Sequence, residues 1–380
     1  MNKPNLSFYT NIPTPYQLDF FDALAECFNL TLILFSEIEN NRQWTLKKDA
    51  KLYSTIVLKN SAIIRPILRY IPSFHFSWSI FKTAWQDKSE NCIVGGNYFS
   101  PNFVIALFIL RLKRKKRKIT FFTEPISVNR YKWQYLLKWC LLLQVKIQCN
   151  SIFAIGKNAV DSYNYYGIKN EKIIIPYNID VSKFDKNNLD NSVIKQLKSD
   201  LGIEQDTIVL LSSGSLIPRK GFETVISAFK KLNRKDVKLL ILGDGELKLA
   251  LQEQAKNNSQ IIFLGFKEKK DIPYYFALSD IFVFASHYDG WAVVINEAIA
   301  ANLIIVASDK VGAAIELITD GENGYLFDSQ SSDMLASKLE NLLNKNDERL
   351  RIKQNTQALL ERVSSSACAA KVLEYFTKTP

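Results

Sequence analysis

The chain has 380 residues, of which 47% are hydrophobic and 23% are charged. This length predicts two domains, and the composition excludes a disordered or low-complexity chain. The formal net charge of +11 is unevenly spread, because residues 1–150 contain 21 Lys/Arg against 9 Asp/Glu whereas the remainder contains 28 against 29. The basic excess therefore belongs to the first half, where it suits an anionic membrane, a nucleic acid or an acidic substrate.

The cysteines and the apolar segments indicate the cellular compartment. Five scattered cysteines without metal-ligand spacing suit reduced thiols in the cytosol and predict no metal site. No run reaches the ~18 apolar residues of a membrane span, and the first residues lack the apolar stretch of a signal peptide. We therefore expect a cytoplasmic protein, peripheral on the inner face of the cytoplasmic membrane.

The chain opens with a strand–helix–strand pattern. Leu6–Thr10 and Leu30–Phe35 are predicted strands, and apolar residues at helical spacing lie between them. Such a βαβ unit implies a parallel sheet, whose ligands bind at the carboxyl ends of its strands. The loop Asn11–Gln17 follows the first strand, so it is either a ligand-binding loop or a plain connection.

Two polar residues of the first half are further candidates. Glu124 directly follows the predicted strand Ile119–Thr123. His75 is one of only two histidines and lies among aromatic residues, so it is either a packed core residue or a catalytic group.

A basic run and an aromatic helix suggest a membrane surface. Arg111–Lys118 contains seven positive charges in eight residues. The following helix, Tyr131–Ile147, has two apolar faces. We expect the core to receive Trp133, Leu136, Leu137, Cys140 and Leu141. The second face consists of Tyr131, Tyr135, Trp139 and Leu142.

That second face is flanked by lysines, which suits the interface of a bilayer. We therefore predict contact with an anionic membrane through Arg111–Lys118 and Tyr131–Leu142. The alternatives are a solvated basic loop and a helix buried between a sheet and another helix. Nucleic acid is not expected, because no recognition motif accompanies the charge.

The second half alternates strands and helices regularly, which predicts another doubly wound domain and a deep cleft between the two. A polar run around residues 183–191 reads as the linker. Between a predicted strand and a helix lies the loop Gly214–Gly221, in which Lys220 and its neighbour Arg219 are candidates to bind phosphate oxygens.

The stretch with the clearest chemistry is IFVFASHYDGWAVVINEAIAANL, residues 281–303. It places Asp289 in a loop and Glu297 on the following helix, beside a helix N-terminus that favours an anion. Lys220, Gly265 and this acid pair follow parallel strands and should converge on one rim. A cation for phosphate, carboxylates for hydroxyls and a glycine for close approach suit a nucleotide sugar. A glycosidase acid pair is the alternative.

Several segments resemble the family 4 retaining glycosyltransferases, the group 1 glycosyltransferases of bacterial surface-polysaccharide synthesis. They are GSLIPRKGFETVISAF, LLILGDGELK, IIFLGF, the Asp289–Glu297 segment and TDGENGYLFD, with weaker support from YTNIPTPYQLDFF, AIGKNAV and IPYNID. The resemblance implies the GT-B fold, an α/β fold of two Rossmann-like doubly wound domains facing across a cleft. We expect an acceptor-side domain at 1–182, a donor domain at 183–363, and a last helix, about 364–380, that packs on the first domain.

The resemblance also implies the reaction. A sugar would move from a nucleotide diphosphate, UDP in preference to GDP, to a hydroxyl of a glycan or lipid-linked glycan, with retention and without cofactor or metal. Stabilising the charge on the leaving diphosphate would be the main task. A non-catalytic sugar-nucleotide-binding or scaffold protein and a sugar-nucleotide epimerase are the competing hypotheses.

The family's motifs assign roles to individual residues. Glu297 would bind the ribose, Asp289 the transferred sugar and Lys220 the phosphates. The donor-binding candidates are Gly214, Ser215, Arg219, Lys220, Gly265, Phe266, Gly290, Trp291, Ala292, Val293 and Glu297, and the catalytic candidates are Asp289, Glu297 and Lys220. On the acceptor side the candidates are Asn11, Thr14, Tyr16, His75 and Glu124.

Two departures from the family pattern stand out. Asp289 replaces the first Glu of the Glu-x7-Glu signature and is one methylene shorter. Ser215 stands where the family commonly has Arg, so Arg219 either compensates or the diphosphate is held less tightly.

Overall fold

The computed structural model describes residues 3–11, 14–36, 52–113, 116–128 and 131–378. Contacts divide the chain into two units, one of Met1–Asn178 with Ser365–Pro380 and one of Ile179–Ser364. Each unit is built on one parallel sheet with helices in the connections.

The first unit contains a seven-stranded sheet in the order β3-β2-β1-β4-β5-β6-β7. Its strands are β1 Asn5–Thr10, β2 Asn29–Leu34, β3 Ser54–Val57, β4 Asn91–Gly95, β5 Lys118–Thr123, β6 Ser151–Ala154 and β7 Glu171–Ile174. Its helices are α1 Pro15–Cys27, α2 Arg65–Leu68, α3 Ser79–Gln86, α4 Pro101–Lys113, α5 Lys132–Gln148, α6 Lys157–Tyr165 and, at the end of the chain, α16 Ser365–Thr377.

The central strands are apolar because helices cover both faces of a parallel sheet. β4 is buried along its whole length, and Phe8 and Tyr9 of β1 have no exposed surface. α16 returns to this unit and packs on α1, with the rings of Phe28 and Phe376 6.2 Å apart.

Helix α5 is present where the sequence predicts it, but the predicted assignment of its two apolar faces is wrong. Leu142 and Val145 are fully buried, and Tyr135 stacks on Tyr166 with ring centroids 5.1 Å apart. Of the five residues expected in the core, Trp133, Leu136, Leu137 and Cys140 are exposed and Leu141 is half-buried. A helix with two apolar faces satisfies periodicity either way, and here the tyrosine stack selects the aromatic one.

The basic run Arg111–Lys118 is not a solvated strip. Arg117 is buried and donates to the Asp87 carbonyl at 2.9 Å, and the Arg111 Nε donates to the Gln148 carbonyl at the same distance. Lys118 donates to the Lys378 carbonyl at 2.8 Å. Lys113 donates to the Trp85 carbonyl, so four of the run's cations bind carbonyl oxygens inside the unit. Residues 114 and 115 lie outside the described residues.

The second unit contains a six-stranded sheet in the order β10-β9-β8-β11-β12-β13. Its strands are β8 Ile208–Ser213, β9 Val237–Leu242, β10 Ile261–Gly265, β11 Ile281–Phe284, β12 Ile304–Ser308 and β13 Tyr325–Phe327. Its helices are α7 Asn191–Asp200, α8 Phe222–Leu232, α9 Lys248–Ala255, α10 Ile272–Ala277, α11 Val293–Ala300, α12 Gly312–Leu317, α13 Ser332–Asn344, α14 Asn346–Gln357 and α15 Leu360–Val363.

The core of this unit lies between the sheet and helices such as α8 and α13. Phe222, Val225, Ile226 and Phe229 of α8 pack with Leu339 of α13 and with the apolar strand residues. The polar run predicted as a linker forms two 3₁₀ turns, Val181–Phe184 and Lys186–Asn188, each capped by an aspartate.

Because the strands of this sheet are parallel, their carboxyl ends and the loops that follow them lie at one edge of the sheet.

Candidate functional site

The loops at the carboxyl edge of the second sheet are held together by very close backbone contacts. A Cβ on Gly221 would lie 2.2 Å from the Ala285 carbonyl oxygen, and one on Gly312 would lie 2.1 Å from that of Gly290. The loop after β8 therefore packs on the end of β11, and the loop after β12 packs on the loop after β11. Only glycine permits this approach, so both positions determine the shape of the site.

Two cations and one carboxylate form the centre of this edge. Lys220 Nζ lies 2.7 Å from Asp289 Oδ2, and Arg219 donates to the same oxygen at 3.2 Å. The Trp291 N–H donates to the other carboxylate oxygen, Oδ1, at 3.3 Å. Three groups that the sequence assigns to an anionic ligand thus converge on Asp289.

The charge on Asp289 is favoured by these neighbours. Burial alone would raise the pKa of the Asp289 carboxyl, but Lys220 and Arg219 outweigh it and hold that pKa below its ordinary value. Lys220 is itself largely buried and lies 4.9 Å from the ring centroid of Phe284. The carboxylate therefore acts as the counter-ion of both cations at neutral pH.

The backbone after Asp289 is fixed in an unusual conformation. Ala292 has φ 69°, in the left-handed region that side chains other than Gly rarely adopt. The Gly312 N–H donates to the Asp289 carbonyl and the Ala313 N–H to that of Trp291. These bonds hold the turn that leads into α11, where Val293 is the first helical residue and half-buried Glu297 is on the second turn.

The remaining donor-side candidates lie along the same edge. Gly265, at the end of β10, accepts a hydrogen bond from the Gly243 N–H, and Gly243 in turn packs on Gly214. The side chains of Ser215 and Phe266 are exposed. Of the donor-side candidates, Lys220, Arg219 and Trp291 contact the Asp289 carboxylate directly.

Sequence reasoning missed the groups that hold Arg219. Its carbonyl accepts from the His287 N–H at 2.8 Å and from the Ser286 hydroxyl at 3.0 Å, and its guanidinium donates to the Tyr288 carbonyl. The polar composition of the loop after β11 can be read from the sequence. Its contact with the loop after β8 depends on the order of the strands in the sheet, which the sequence does not reveal.

The first unit has its own polar cluster at the carboxyl edge of its sheet. Glu124, after β5, accepts from the hydroxyl of Tyr177, and the Tyr177 ring packs edge-on against Tyr16 at 5.0 Å. Burial and the Glu124 carboxylate raise the pKa of Tyr177 well above its ordinary value. Thr14 caps α1 with Gln17, and Asn11 follows β1 next to Gly96. Tyr177 was not singled out in the sequence.

His75 has a different environment. It is completely buried, its ring Nδ1 lies 3.1 Å from the Asn60 amide nitrogen, and its backbone bonds to Ser100 and Asn102. These are the surroundings of a packed core residue, so His75 presents no surface to an acceptor. In the part of the chain that the structure describes, no three His, Cys, Asp or Glu residues are grouped as metal ligands.

Comparison with known families identifies the second unit. Residues 193–359 match the family model "Glycosyl transferases group 1". This segment is similar to the group 1 glycosyltransferases. It includes every donor-side candidate, among them Lys220, Asp289 and Glu297, and the predicted resemblance to this family is confirmed.

Curated relatives match about half of the chain. The chain is 29% identical over 188 residues to the alpha-monoglucosyldiacylglycerol synthase of Streptococcus pneumoniae, covering 48% of this chain and 42% of the relative. It is 30% identical over 199 residues to a Campylobacter jejuni N-acetylgalactosaminyltransferase that acts on a diphospho-undecaprenol-linked sugar, covering 51% and 50%. The matched segment thus spans about half the length of these relatives.

Solved structures extend the similarity to the whole fold. The Anabaena protein Alr3699/HepE, crystallised in complex with UDP, superimposes with a TM-score of 0.75 at 17% identity, covering 98% of this chain and 99% of that protein. WaaG, a glycosyltransferase involved in lipopolysaccharide biosynthesis, has a TM-score of 0.64 at 15% identity over 98% and 100%. The predicted GT-B fold, with two Rossmann-like α/β domains, is confirmed.

Proposed function

We propose that this protein is a retaining glycosyltransferase that transfers a hexose from a UDP-sugar to a hydroxyl of a lipid-linked glycan at an anionic membrane, in the synthesis of a surface glycan. The observation that supports this most is the cluster of Lys220, Arg219 and the Trp291 N–H around one carboxylate. Its donors point to one place and suit an oxyanion.

The cluster accounts for the chemistry of the leaving group. When the bond between the sugar and the diphosphate breaks, negative charge grows on the phosphate oxygens. Lys220 and Arg219 provide two positive charges against the one negative charge of Asp289, so the site retains a net positive charge for the diphosphate. No metal is needed for this balance, and donors fixed in advance need little reorganisation during the reaction.

Relatives support the class of donor and acceptor. HepE was crystallised with UDP and with UDP-glucose. Of the two enzymes named above, one synthesises a diacylglycerol glycolipid and the other acts on an undecaprenyl-linked sugar. In the first unit, Glu124 held by Tyr177 is the group that we assign to the acceptor hydroxyl, with Tyr16 packed against Tyr177.

The test is a transfer assay with radiolabelled UDP-sugars and a lipid extract as acceptor. Lys220→Ala and Glu297→Ala should each lower transfer by roughly 10²–10³-fold, because each removes a charged contact to the donor. The matched control is Lys231→Ala, which removes an exposed lysine paired with Asp333 on the same unit. Full transfer by both site variants, with folding intact, would refute the assignment.

A second function, binding of a sugar nucleotide without catalysis, is favoured by one observation. Asp289 pairs with the cations through a shorter side chain than the family's glutamate, so it can hold them without reaching a sugar. UDP binding in calorimetry with no turnover over a broad acceptor panel would support this function over transfer.

A further inference from the structure

The two units differ in how much apolar surface they expose. Among the described residues, 21 large hydrophobic side chains of the first unit are exposed, against 7 in the second. Isolated exposed hydrophobic residues are ordinary, whereas a contiguous group marks an interaction surface. In the first unit many of them lie on three neighbouring helices, α3, α4 and α5, of which α4 packs against both others.

On each of these helices the exposed apolar residues form a stripe. They recur at helical spacing, which places them along one side of each helix. The stripes are Trp78, Phe81 and Trp85 at the start of and along α3, Val104, Phe108 and Leu112 on α4, and Trp133, Leu137 and Cys140 on α5. Trp85 and Trp133 are 55% and 65% exposed. Leaving so much apolar ring surface in contact with water has a large free-energy cost.

The stripes of α3 and α4 line a groove. Phe81 and Trp85 form one wall, Val104 and Phe108 the other, and Ile105 and Ile109 the floor. The groove encloses about 640 Å³, and Gln144 and Gln148 close it where the stripe of α5 arrives. We call the three stripes and this groove the three-helix face.

The charges on these three helices are all of one sign. The helices α3, α4 and α5 contain six Lys or Arg residues and not one Asp or Glu. Lys82, Lys113, Lys132 and Lys146 are exposed, and Lys113 lies over the Trp85 ring at 5.6 Å from its centroid. Asp87, just after α3, accepts from the Tyr9 hydroxyl at 2.8 Å and is directed into the unit.

We propose that the three-helix face is the docking surface for an anionic lipid bilayer, with its tryptophans at the level of the lipid headgroups and its lysines on the phosphates. Aromatic side chains prefer this depth, and lysines extend their charge toward anionic lipids while their stems cover apolar surface. This surface keeps part of the predicted one, such as Lys113, Trp133 and Leu137, whereas Arg117 and the Tyr135 side of α5 are turned inward.

A second copy of the chain is a poorer occupant. A two-fold symmetric contact would place the same basic face against itself and bring lysine against lysine. A bilayer that contains phosphatidylglycerol offers the opposite charge together with an apolar layer.

The test is sedimentation of the full-length protein with vesicles, without donor or acceptor. The wild type should bind vesicles of equal phosphatidylglycerol and phosphatidylcholine far more tightly than phosphatidylcholine alone, and less tightly in 0.5 M salt. Trp85→Ser combined with Phe108→Ser should weaken binding at least tenfold. The matched control is Leu249→Ser, an exposed leucine of the second unit, which should bind as the wild type does.

Two further measurements remain informative if the double variant folds poorly. Lys82→Gln with Lys146→Gln leaves the apolar surface intact and should weaken binding about fivefold per lysine. In the wild type, lipids brominated on the acyl chain should quench tryptophan fluorescence. Unchanged binding by the folded variants, no quenching, or a wild-type dimer that Trp85→Ser with Phe108→Ser converts to a monomer would each overturn the proposal.

This inference rests on the proposed function in one respect only, the reason why the protein would bind a membrane. Vesicle binding needs no transfer, and the proposed function can be assayed on a detergent-dispersed acceptor. Loss of one without the other distinguishes the two proposals.

Discussion

The two units share a parallel-sheet topology but differ in their most distinctive surface. That surface is a polar sheet edge in the second unit and a set of apolar helix faces in the first. In the second unit, neighbouring loops touch through backbone atoms at Gly221 and Gly312, and polar groups converge on Asp289. In the first unit, the polar edge reduces to Glu124, Tyr177 and Tyr16, while three helices expose apolar stripes. In our proposals, a parallel sheet thus provides a rigid edge for a small charged ligand in one case and helices for a broad apolar contact in the other.

The charge distribution follows the same division. Residues 1–150 contain 12 more basic than acidic residues, while the rest of the chain is balanced to within one charge. The proposed site for a diphosphate needs only a few charges at short distance, such as those of Lys220 and Arg219. Attraction to a membrane adds up over many exposed lysines. Variants in each unit test whether the two surfaces are separable in this way.

The largest expected effect is at a glycine contact of the second unit. Gly312→Ala would place a methyl group about 2.1 Å from the Gly290 carbonyl oxygen. We expect a loss of about 3 kcal/mol in the free energy of unfolding, because backbone atoms cannot move aside cheaply. Calorimetric unfolding should show this loss of stability. Calorimetric titration with UDP should show that UDP binding is lost as well.

Gly290→Ala is the matched control, since a Cβ there meets nothing within 4 Å. Its unfolding temperature should stay close to that of the wild type. Equal stability of both alanine variants would mean that the two loops do not depend on this contact.

A smaller effect is expected from Asp289→Asn. Removing the counter-ion of Lys220 and Arg219 should tighten UDP binding roughly tenfold, or ~1.4 kcal/mol. Transfer should fall at the same time, because the amide cannot replace the carboxylate on the sugar. Titration calorimetry and initial rates measure the two quantities, with Asp333→Asn as the exposed control. Weaker UDP binding by Asp289→Asn would contradict the counter-ion role.

The stability of the second unit should depend on the ionisation of Asp289. Its pKa is lowered in the folded chain, so its contribution is fully present above the ordinary carboxyl pKa of about 3.9 and is lost as the pH falls through the lowered value. The wild type should exceed Asp289→Asn by about 1–2 kcal/mol at pH 7, and the difference should shrink below pH ~4. Urea unfolding at several pH values tests this; a difference that grows in acid would show the sign to be wrong.

The smallest effect is expected at the polar edge of the first unit. Tyr177→Phe removes the hydroxyl that donates to Glu124 but keeps the ring against Tyr16. We expect a several-fold rise in the KM for the acceptor, with UDP binding unchanged. Tyr165→Phe, at a half-exposed tyrosine of α6, is the control. If Tyr177→Phe changed UDP binding and left the KM for the acceptor unchanged, Tyr177 would belong to the donor site.

The sequence predicted the elements better than it predicted their contacts. The strands, their alternation with helices and the group 1 motifs could be read because apolar periodicity and glycine-bounded loops are local signals. The orientation of α5 could not, since Trp133 and Tyr135 are equally apolar and only the stack on Tyr166 distinguishes them. Arg117 lies in a basic run yet is buried, because its partner carbonyls come from distant segments. The short strand β3 and helices α2 and α3 were not recognised at all.

At the candidate site, residue types were predictable and distances were not. Lys220 and Asp289 are 69 positions apart, and only the adjacency of β8 and β11 brings their charges to 2.7 Å. The shorter aspartate at position 289 appeared as a departure from a motif. In the structure it is the group on which the cations converge.

The central claim is that Lys220 and its neighbours bind the diphosphate of a nucleotide. Calorimetric titration of UDP into the full-length wild type, Lys220→Ala and Lys231→Ala tests it most directly. We predict saturable binding by the wild type and by Lys231→Ala, and a loss of at least tenfold in affinity for Lys220→Ala. Equal affinity of folded Lys220→Ala and wild type would contradict the assignment of this cluster to the phosphates.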